Sequence, residues 1–264
     1  MYAFELQQPK NLGEALTLIG QSGAKPLAGG QTLIATMKMR LAASDSLVDL
    51  GAIAELRGIR REDDALVIGA MTRHAEVAHS ELVKQAIPAL SVLAGGIGDR
   101  QVRNLGTLGG SVANSDPAAC YPAAVLGLGA TIQTDRRQIA ADDFFQGLYD
   151  TALDDNEIIT AIRFPIPERA GYEKFRNPAS RFALVGVFVS QGANGVRVAV
   201  TGCAPCVYRA AELEQALSND FSPEAAKAVS VSPDGLNTDL HASAGYRAHL
   251  IPVIASRAVA QALG

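Results

Sequence analysis

Two glycine pairs, each followed by a hydroxyl residue, are the strongest chemical signals in the sequence. The first glycine loop is Ala28-Gly29-Gly30-Gln31-Thr32, and the second glycine loop is Thr107-Leu108-Gly109-Gly110-Ser111. Glycine lets backbone N–H groups approach a ligand closely, and such groups at a helix N-terminus favour an anion. Thr32 is therefore a candidate phosphate contact, and two such loops could hold a pyrophosphate from opposite sides.

A simpler interpretation is that each glycine pair only makes a tight turn. The density of glycines helps to distinguish that interpretation from a phosphate-binding site. Residues 94–111 contain six glycines, where average usage of about 7% predicts roughly one. The density and the second loop together favour binding, although residue chemistry by itself leaves both interpretations open.

Other catalytic motifs are absent or incomplete. The chain has neither a G-x-G-x-x-G fingerprint nor a Gly-Lys dipeptide, which excludes a Rossmann fingerprint and a P-loop as usually written. His74 and His79 would lie about 140° apart around a helix, so a solvated or capping role is predicted for them rather than a metal site. A serine nucleophile elbow, which Ser111 would supply, needs a strand just before the serine. Residues 101–106, which precede it, are predicted to form a loop, so this motif is incomplete.

Composition excludes several classes of partner. Hydrophobic residues make up 48% and charged residues 19% of the 264, which is typical of a globular chain of about two domains. A net charge of −4 with no basic face argues against nucleic acid. No apolar run reaches the roughly 18 residues of a membrane helix, and Met1–Lys10 lacks a signal-peptide pattern. We therefore expect a cytoplasmic protein without membrane insertion.

Three cysteines are too few for a disulfide framework. Cys203 and Cys206 form a CxxC that lacks the second pair or the histidines of a zinc site. We interpret them as two small residues near a turn.

Helix and strand signals divide the chain into an α/β part and an α+β part. Asn11 and Glu14 predict a helix that ends at Gly20, and Thr32 is predicted to cap the next helix. With strands at 26–28 and 46–50, the first 55 or so residues form a small parallel α/β unit.

The remaining elements are predicted as follows. Residues 56–167 contain strands at 65–70, 131–134 and 157–164 and helices at 72–77 and 81–93, and they end at Pro165-Ile166-Pro167. Residues 168–264 contain a hairpin of 182–190 and 195–201, then helices at about 209–217, from Ser222, and at 243–263, where Pro252 predicts a kink.

Two longer strings resemble one protein family. They are P-L-A-G-G-Q-T-L-I-A-T-M-K-M-R (26–40) and I-G-D-R-Q-V-R-N-L-G-T-L-G-G-S-V-A-N-S-D-P-A-A-C-Y-P-A (97–123). With I-G-A-M-T-R-H (68–74), F-P-I-P (164–167) and P-A-S-R-F-A-L-V-G-V (178–187), they are similar to the FAD-binding medium subunit of the molybdenum hydroxylases, the xanthine dehydrogenase and aerobic carbon monoxide dehydrogenase group. The resemblance covers nearly the whole chain.

The resemblance implies an α+β fold: a PCMH-type FAD-binding domain of two α/β subdomains (1–55 and 56–167), then a C-terminal α+β domain (168–264) with a small antiparallel sheet and helices. It implies that the two glycine loops embrace the FAD pyrophosphate and ribityl chain. The cofactor-binding residues so implied are Leu27, Ala28, Gly29, Gly30, Gln31, Thr32, Leu33, Ile97, Thr107, Leu108, Gly109, Gly110, Ser111, Asp116, Cys120, Ile159 and Lys174. Among them Leu108 is expected near the flavin ring.

The family also implies a function and partners. A large molybdopterin-binding subunit oxidises the substrate at its molybdenum cofactor, and two [2Fe–2S] clusters of a small subunit carry the electrons. The FAD of the medium subunit collects them for an external acceptor, in an assembly expected to be a dimer of heterotrimers. No catalytic acid, base or metal ligand is expected in this chain. The alternatives are a self-sufficient flavin-dependent dehydrogenase and a scaffold subunit that has lost flavin.

Three positions depart from the pattern of many members. Gln31 replaces a histidine, and Phe182 aligns where some members have a tyrosine over the flavin. Cys120 replaces an aspartate that hydrogen-bonds the cofactor, and it favours the scaffold alternative, whereas intact glycines in both loops oppose it.

Overall fold

The protein is described by a computed structural model that covers all 264 residues. The amino-terminal unit is a parallel sheet with strand order β1-β3-β2. Its elements are β1 (Glu5–Gln7), α1 (Leu12–Ile19), β2 (Ala24–Leu27), α2 (Leu33–Lys38) and β3 (Ser46–Asp49). Two 3-10 turns, Leu50–Ala52 and Ala54–Leu56, lead out of it.

Local signals explain most of this unit. The Asn11 side chain accepts a hydrogen bond of 2.9 Å from the Glu14 N–H and begins α1, as predicted. Ala15 and Ile19 point from α1 into a small core with Val48. The predicted cap at Thr32 is wrong, because its side chain makes no capping hydrogen bond. That hydroxyl stays available for another partner.

The central unit combines an antiparallel sheet, order β4-β5-β10-β6-β7, with a layer of short helices. Its elements are β4 (Ile59–Glu62), β5 (Ala65–Gly69), α3 (His74–His79), α4 (Glu81–Ala86), α5 (Pro88–Gly95), α6 (Arg100–Leu105), α7 (Leu108–Asn114), α8 (Tyr121–Gly127), β6 (Thr131–Thr134), β7 (Gln138–Ala140), α9 (Ala141–Phe144), β8 (Phe145–Gly147), β9 (Asp150–Thr151) and β10 (Ile159–Pro165). Strands β8 and β9 form a separate ribbon.

Two predictions for this unit are wrong. The single helix predicted over 81–93 is divided into α4 and α5, because Pro88 disfavours helical backbone at the residue before it, and Ile87 has φ −142°. The loop predicted at 101–106 is helical: Asp99 accepts a hydrogen bond of 2.8 Å from the Val102 N–H and begins α6.

The carboxy-terminal unit is an antiparallel sheet, order β11-β12-β13-β14, with helices on one face. Its elements are β11 (Arg169–Arg176), β12 (Ala183–Gly192), β13 (Gly195–Thr201), β14 (Tyr208–Arg209), α10 (Ala211–Asn219), α11 (Pro223–Ala228) and α12 (Ala244–Leu263). The predicted hairpin is present as β12 and β13, which pair antiparallel. Strand β11 was not predicted from the sequence. The fold class predicted from the sequence, α+β, is confirmed.

Alternation along β12 places the two faces of this sheet against different layers. Val185, Val187 and Val189 contact the core under α10 to α12, whereas Phe188 contacts the central core beside α8. Polar contacts join the same layers, since Ser190 Oγ donates to the Gly127 carbonyl at 2.7 Å. The carboxy-terminal sheet therefore serves as a wall for the central unit. None of the helices has both the length and the apolar character needed to cross a lipid bilayer.

Close packing of α12 on β11 generates the first prediction. A Cβ on Gly171 would overlap the carbonyl oxygen of Ala258 in α12. We expect Gly171→Ala to lower the free energy of unfolding by about 1–3 kcal/mol, because neither backbone can move away alone. The measurement is chemical denaturation followed by circular dichroism.

The matched control is Gly245→Ala at the exposed start of α12, where a Cβ meets no atom within 4 Å. It should change stability by less than about 1 kcal/mol. Equal stability of the two variants would show that β11 and α12 are not in tight contact.

Candidate functional site

A cavity of about 660 Å³ lies where the three units meet. The amino-terminal unit contributes residues 25–33, the central unit contributes residues around 106–120, and the carboxy-terminal unit contributes Lys174 and 180–182. Its volume lies within the range of sites for small molecules and cofactors, about 300–1,000 Å³. Backbone and apolar side chains form most of its wall.

The two glycine loops touch each other at this cavity. A Cβ on Gly29 would overlap the Leu105 carbonyl and lie 2.6 Å from Cα of Gly106. A Cβ on Gly110 would lie 2.9 Å from Thr107 Oγ1 and 3.1 Å from Cβ of Ala28. Glycine is thus required at these positions for the loops to approach each other.

The first glycine loop presents unused donors. The backbone N–H groups of residues 29–33 have no acceptor within the chain, and all five residues line the cavity. The Thr32 hydroxyl is also without a partner, while Gln31 Nε2 donates to the Gly29 carbonyl at 3.0 Å. Because buried or ligand-facing N–H groups need acceptors, this loop is suited to an anion.

The second glycine loop differs, because its N–H groups from Leu108 to Ser111 are used inside the protein. Leu108 N–H donates to Thr72 O at 3.0 Å and Gly109 N–H to Ala70 O at 2.8 Å. Gly110 N–H donates to Thr107 Oγ1 at 3.2 Å, which caps α7. What this loop offers to the cavity is its glycine surface and the Ser111 hydroxyl, which makes no hydrogen bond within the chain.

The residues singled out from the sequence lie around this cavity, with one exception. Those that line it are Leu27, Ala28, Gly29, Gly30, Gln31, Thr32, Leu33, Ile97, Thr107, Gly109, Gly110, Ser111, Asp116, Cys120, Ile159 and Lys174. Leu108 does not: its side chain is completely buried in the central core. The expectation that Leu108 lies near a ligand ring is corrected, since its position in α7 turns it toward the core.

Lys174 connects the carboxy-terminal unit to the cavity wall. Its ammonium donates to Gly96 O at 2.9 Å, Arg181 O at 3.1 Å and Cys120 Sγ at 3.2 Å. The side chain is 6% exposed. Gly96 O is one of the carbonyls that the end of α5 leaves without an intrahelical partner. The charge of Lys174 is therefore satisfied by carbonyls and sulfur, without a carboxylate.

Two acidic residues also line the cavity. Burial raises the pKa of Asp116, whose Oδ1 accepts from the Ala118 N–H at 2.8 Å. Glu157 also lines the cavity, and its hydrogen bonds from Arg137 lower its pKa to about 2. Phe182, which is 48% exposed, stands at the rim.

His74 is a wall residue that sequence reasoning missed. The sequence predicts a solvated or capping histidine, but His74 is 5% exposed, and its Nδ1 has no hydrogen-bond partner. Its ring lies 5.3 Å from that of Tyr121. Burial, with a smaller effect of the Arg103 charge, lowers the pKa of His74 to about 4. His79 is exposed as predicted, and no cluster of three or more potential metal ligands occurs in the structure.

Comparison with known proteins extends these observations. Residues 2–167 match the family described as the FAD binding domain in molybdopterin dehydrogenase. The carbon monoxide dehydrogenase medium chain of Hydrogenophaga pseudoflava is 35% identical over 97% of this chain and 96% of that relative. The nicotine 6-hydroxylase medium subunit of Paenarthrobacter nicotinovorans is 33% identical over 98% and 97%.

A solved structure shares the architecture. It is the carbon monoxide dehydrogenase from Hydrogenophaga pseudoflava that lacks the Mo-pyranopterin moiety of its molybdenum cofactor. The two chains superpose with a TM-score of 0.89 at 37% identity, over 98% of this chain and 97% of the other. The same chain fold therefore extends over both units that carry the glycine loops and over the carboxy-terminal unit.

The buried His74 generates a prediction for pH. Because its folded pKa is about 4 and the ordinary value is 6.5, the unfolded chain binds a proton first as pH falls. Stability should thus decrease between about pH 6.5 and pH 4, by a few kcal/mol at most from this group. We expect His74→Gln to remove that part of the decrease in urea denaturation at pH 7, 5.5 and 4.5.

The control is His79→Gln, which changes an exposed histidine of the same helix. It should retain the part of the decrease that comes from His74, because His74 is unchanged in it. A His74→Gln profile with an undiminished slope would show that His74 is solvated rather than buried.

Proposed function

The chain belongs to the family of FAD-binding medium subunits of the molybdenum hydroxylases, and from this membership we propose that it passes electrons from partner iron–sulfur clusters through FAD to an external acceptor. The observation that carries the proposal is the first glycine loop. It presents five consecutive free N–H groups to a cavity, and the second glycine loop closes against it. An oxidoreductase subunit of this family needs to bind and orient a flavin rather than attack a substrate.

The residues present fit an FAD molecule in their chemistry. The N–H groups of residues 29–33 and the Thr32 hydroxyl are donors suited to a pyrophosphate. The Ser111 hydroxyl and Asp116 are suited to ribityl hydroxyl groups. Apolar surface for a ring system is provided by Leu27, Leu33, Ile97, Ile159 and Phe182. When bound, the flavin supplies the redox chemistry, since it can accept electrons singly or in pairs.

The work of this chain is thus to bind, orient and shield the cofactor. Glycine at positions 29 and 110 keeps the loops in contact, so that no side chain fills the space between them and the cavity. Lys174 places a fixed positive charge in the wall. A positive charge beside a ring that gains electrons stabilises its reduced form. None of these roles requires a general acid or base.

The partners are proposed from the relatives. Those relatives are named as medium chains or subunits, and the chain covers nearly their whole length. The solved relative belongs to an enzyme whose molybdenum cofactor carries a Mo-pyranopterin. We therefore propose a large molybdopterin-binding subunit and a small subunit with two [2Fe–2S] clusters, assembled as a dimer of heterotrimers. The cytoplasmic location predicted from the sequence is part of the same proposal.

The first test is the visible spectrum of the purified full-length chain, followed by acid release and identification of the cofactor. We expect flavin absorption and released FAD, about one per chain, because the cavity accepts one such molecule. Purification of the chain with its native partners should bring iron and molybdenum as well. A flavoprotein without either metal would favour a self-sufficient dehydrogenase, and a colourless chain that takes up no added FAD would favour a scaffold subunit.

The loop contact generates a second test. Gly110→Val should abolish FAD retention while the chain stays folded, because its side chain would press on Ala28 and Thr107 and separate the loops. The readouts are the ratio of flavin to protein absorbance and the circular dichroism spectrum.

Gly245→Val is the matched control, since the same side chain there meets open space. It should retain FAD fully. A folded Gly110→Val protein with a full complement of flavin would refute the two-loop site.

A further inference from the structure

The three cysteines of the chain have different surroundings. Cys203 Sγ lies 3.7 Å from two carbonyl oxygens, those of Leu184 and Thr201, so its thiol is held as a donor. Burial raises its pKa to about 12. Cys206 is half-buried, and burial raises its pKa too. The Arg247 guanidinium donates to the same Leu184 carbonyl as the Cys203 thiol, but no cation donates a hydrogen bond to the sulfur of Cys203 or Cys206.

Cys120 has the opposite environment. Its sulfur receives a hydrogen bond of 3.2 Å from the Lys174 ammonium. The Tyr172 hydroxyl is buried near this cluster and has no hydrogen-bond partner, and Tyr172 is 3% exposed. The Lys174 ammonium is therefore the one donor that reaches the sulfur. Cys120 is 5% exposed and is among the residues that line the cavity, from which a small reagent would approach it.

The hydrogen-bond partners of Lys174 also favour a reactive Cys120. A buried ammonium is stable when it is paired or fully hydrogen-bonded. Lys174 has two carbonyls and a sulfur as partners and no carboxylate. An oxygen added to the Cys120 sulfur would give the ammonium a stronger acceptor than the thiol.

We propose that Cys120 is a peroxide-reactive cysteine, activated by Lys174, and that FAD bound in the cavity shields it. The sulfur attacks one oxygen of hydrogen peroxide: an S–O bond forms and the O–O bond breaks. The sulfur loses two electrons, and the peroxide is reduced. The departing hydroxide takes the thiol proton and leaves as water, so the products are a sulfenic acid and water. The Lys174 ammonium stabilises the negative charge that develops on the departing oxygen.

Oxidation itself is independent of FAD, whereas the shielding rests on the proposed function. Because the sulfur is part of the wall, a molecule that occupies the cavity covers it. The modification would therefore mark chains that have lost their cofactor.

The experiment treats the full chain with hydrogen peroxide and dimedone, which traps sulfenic acids, and measures the adduct at each cysteine by peptide mass spectrometry. The chain is used with its FAD removed and after reloading with FAD. Without FAD, we expect Cys120 to be labelled at least about tenfold faster than Cys206, the change expected from one charge-assisted hydrogen bond. Labelling of Cys206 at an equal or greater rate would overturn the proposal.

Variants of Lys174 test the activation. Lys174→Met should slow labelling of Cys120 about tenfold, while Lys174→Arg, which keeps the charge, should slow it less. The Cys206 rate in the same digest controls for reagent and unfolding, and circular dichroism checks the fold. If Lys174→Met does not fold, Lys174→Gln decides the question, because it removes the charge and keeps a polar side chain. An unchanged Cys120 rate in a folded variant without its donor would contradict the activation.

The FAD arm separates the two proposals. If flavin absorption shows bound FAD and Cys120 is still labelled at the same rate, the shielding is wrong. If no FAD binds at all, the proposed function fails, and the comparison of the three cysteines without FAD still tests the reactive site.

Discussion

The contact between two backbone segments at Gly29 is the constraint on which the cavity depends. Leu105 and Gly106 of the central unit approach Gly29 so closely that no side chain fits between them. The second loop is fixed to the central sheet by N–H groups that donate to Thr72 and Ala70. The amino-terminal unit is therefore positioned against a rigid support. Its first loop is left with N–H donors that have no acceptor within the chain.

The buried charge of Lys174 fixes the part of the cavity wall that the carboxy-terminal unit contributes. The glycines fix the parts that the other two units contribute. The Lys174 ammonium reaches across from β11 to the end of α5 and to the loop before β12. Arg181 has φ +64°, a left-handed conformation that costs about 1–2 kcal/mol for a residue with a side chain. That conformation is maintained while its carbonyl accepts from Lys174. The same segment is closed by the hydrogen bond of 2.8 Å from the Asn177 N–H to the Phe182 carbonyl.

Backbone and side chains contribute different groups to the site. The unused donors are backbone N–H groups, much of the enclosing wall is apolar, and Lys174 contributes a buried cation to it. A site of this type is suited to binding and tuning a redox cofactor.

The sequence by itself determined the fold class, most helices and strands of the first and last units, and many of the residues that line the cavity. Local capping, glycine spacing and the two long strings carry that information. The tertiary structure alone decided four matters: that β11 is a strand, that His74 is buried, that Leu108 faces the core, and that the N–H groups of residues 108–111 are used while those of residues 29–33 are free. Each depends on what a residue meets across the fold. Hydrogen bonds between segments far apart in the chain, such as Gly109 to Ala70 and Lys174 to Gly96, have no local signal in the sequence.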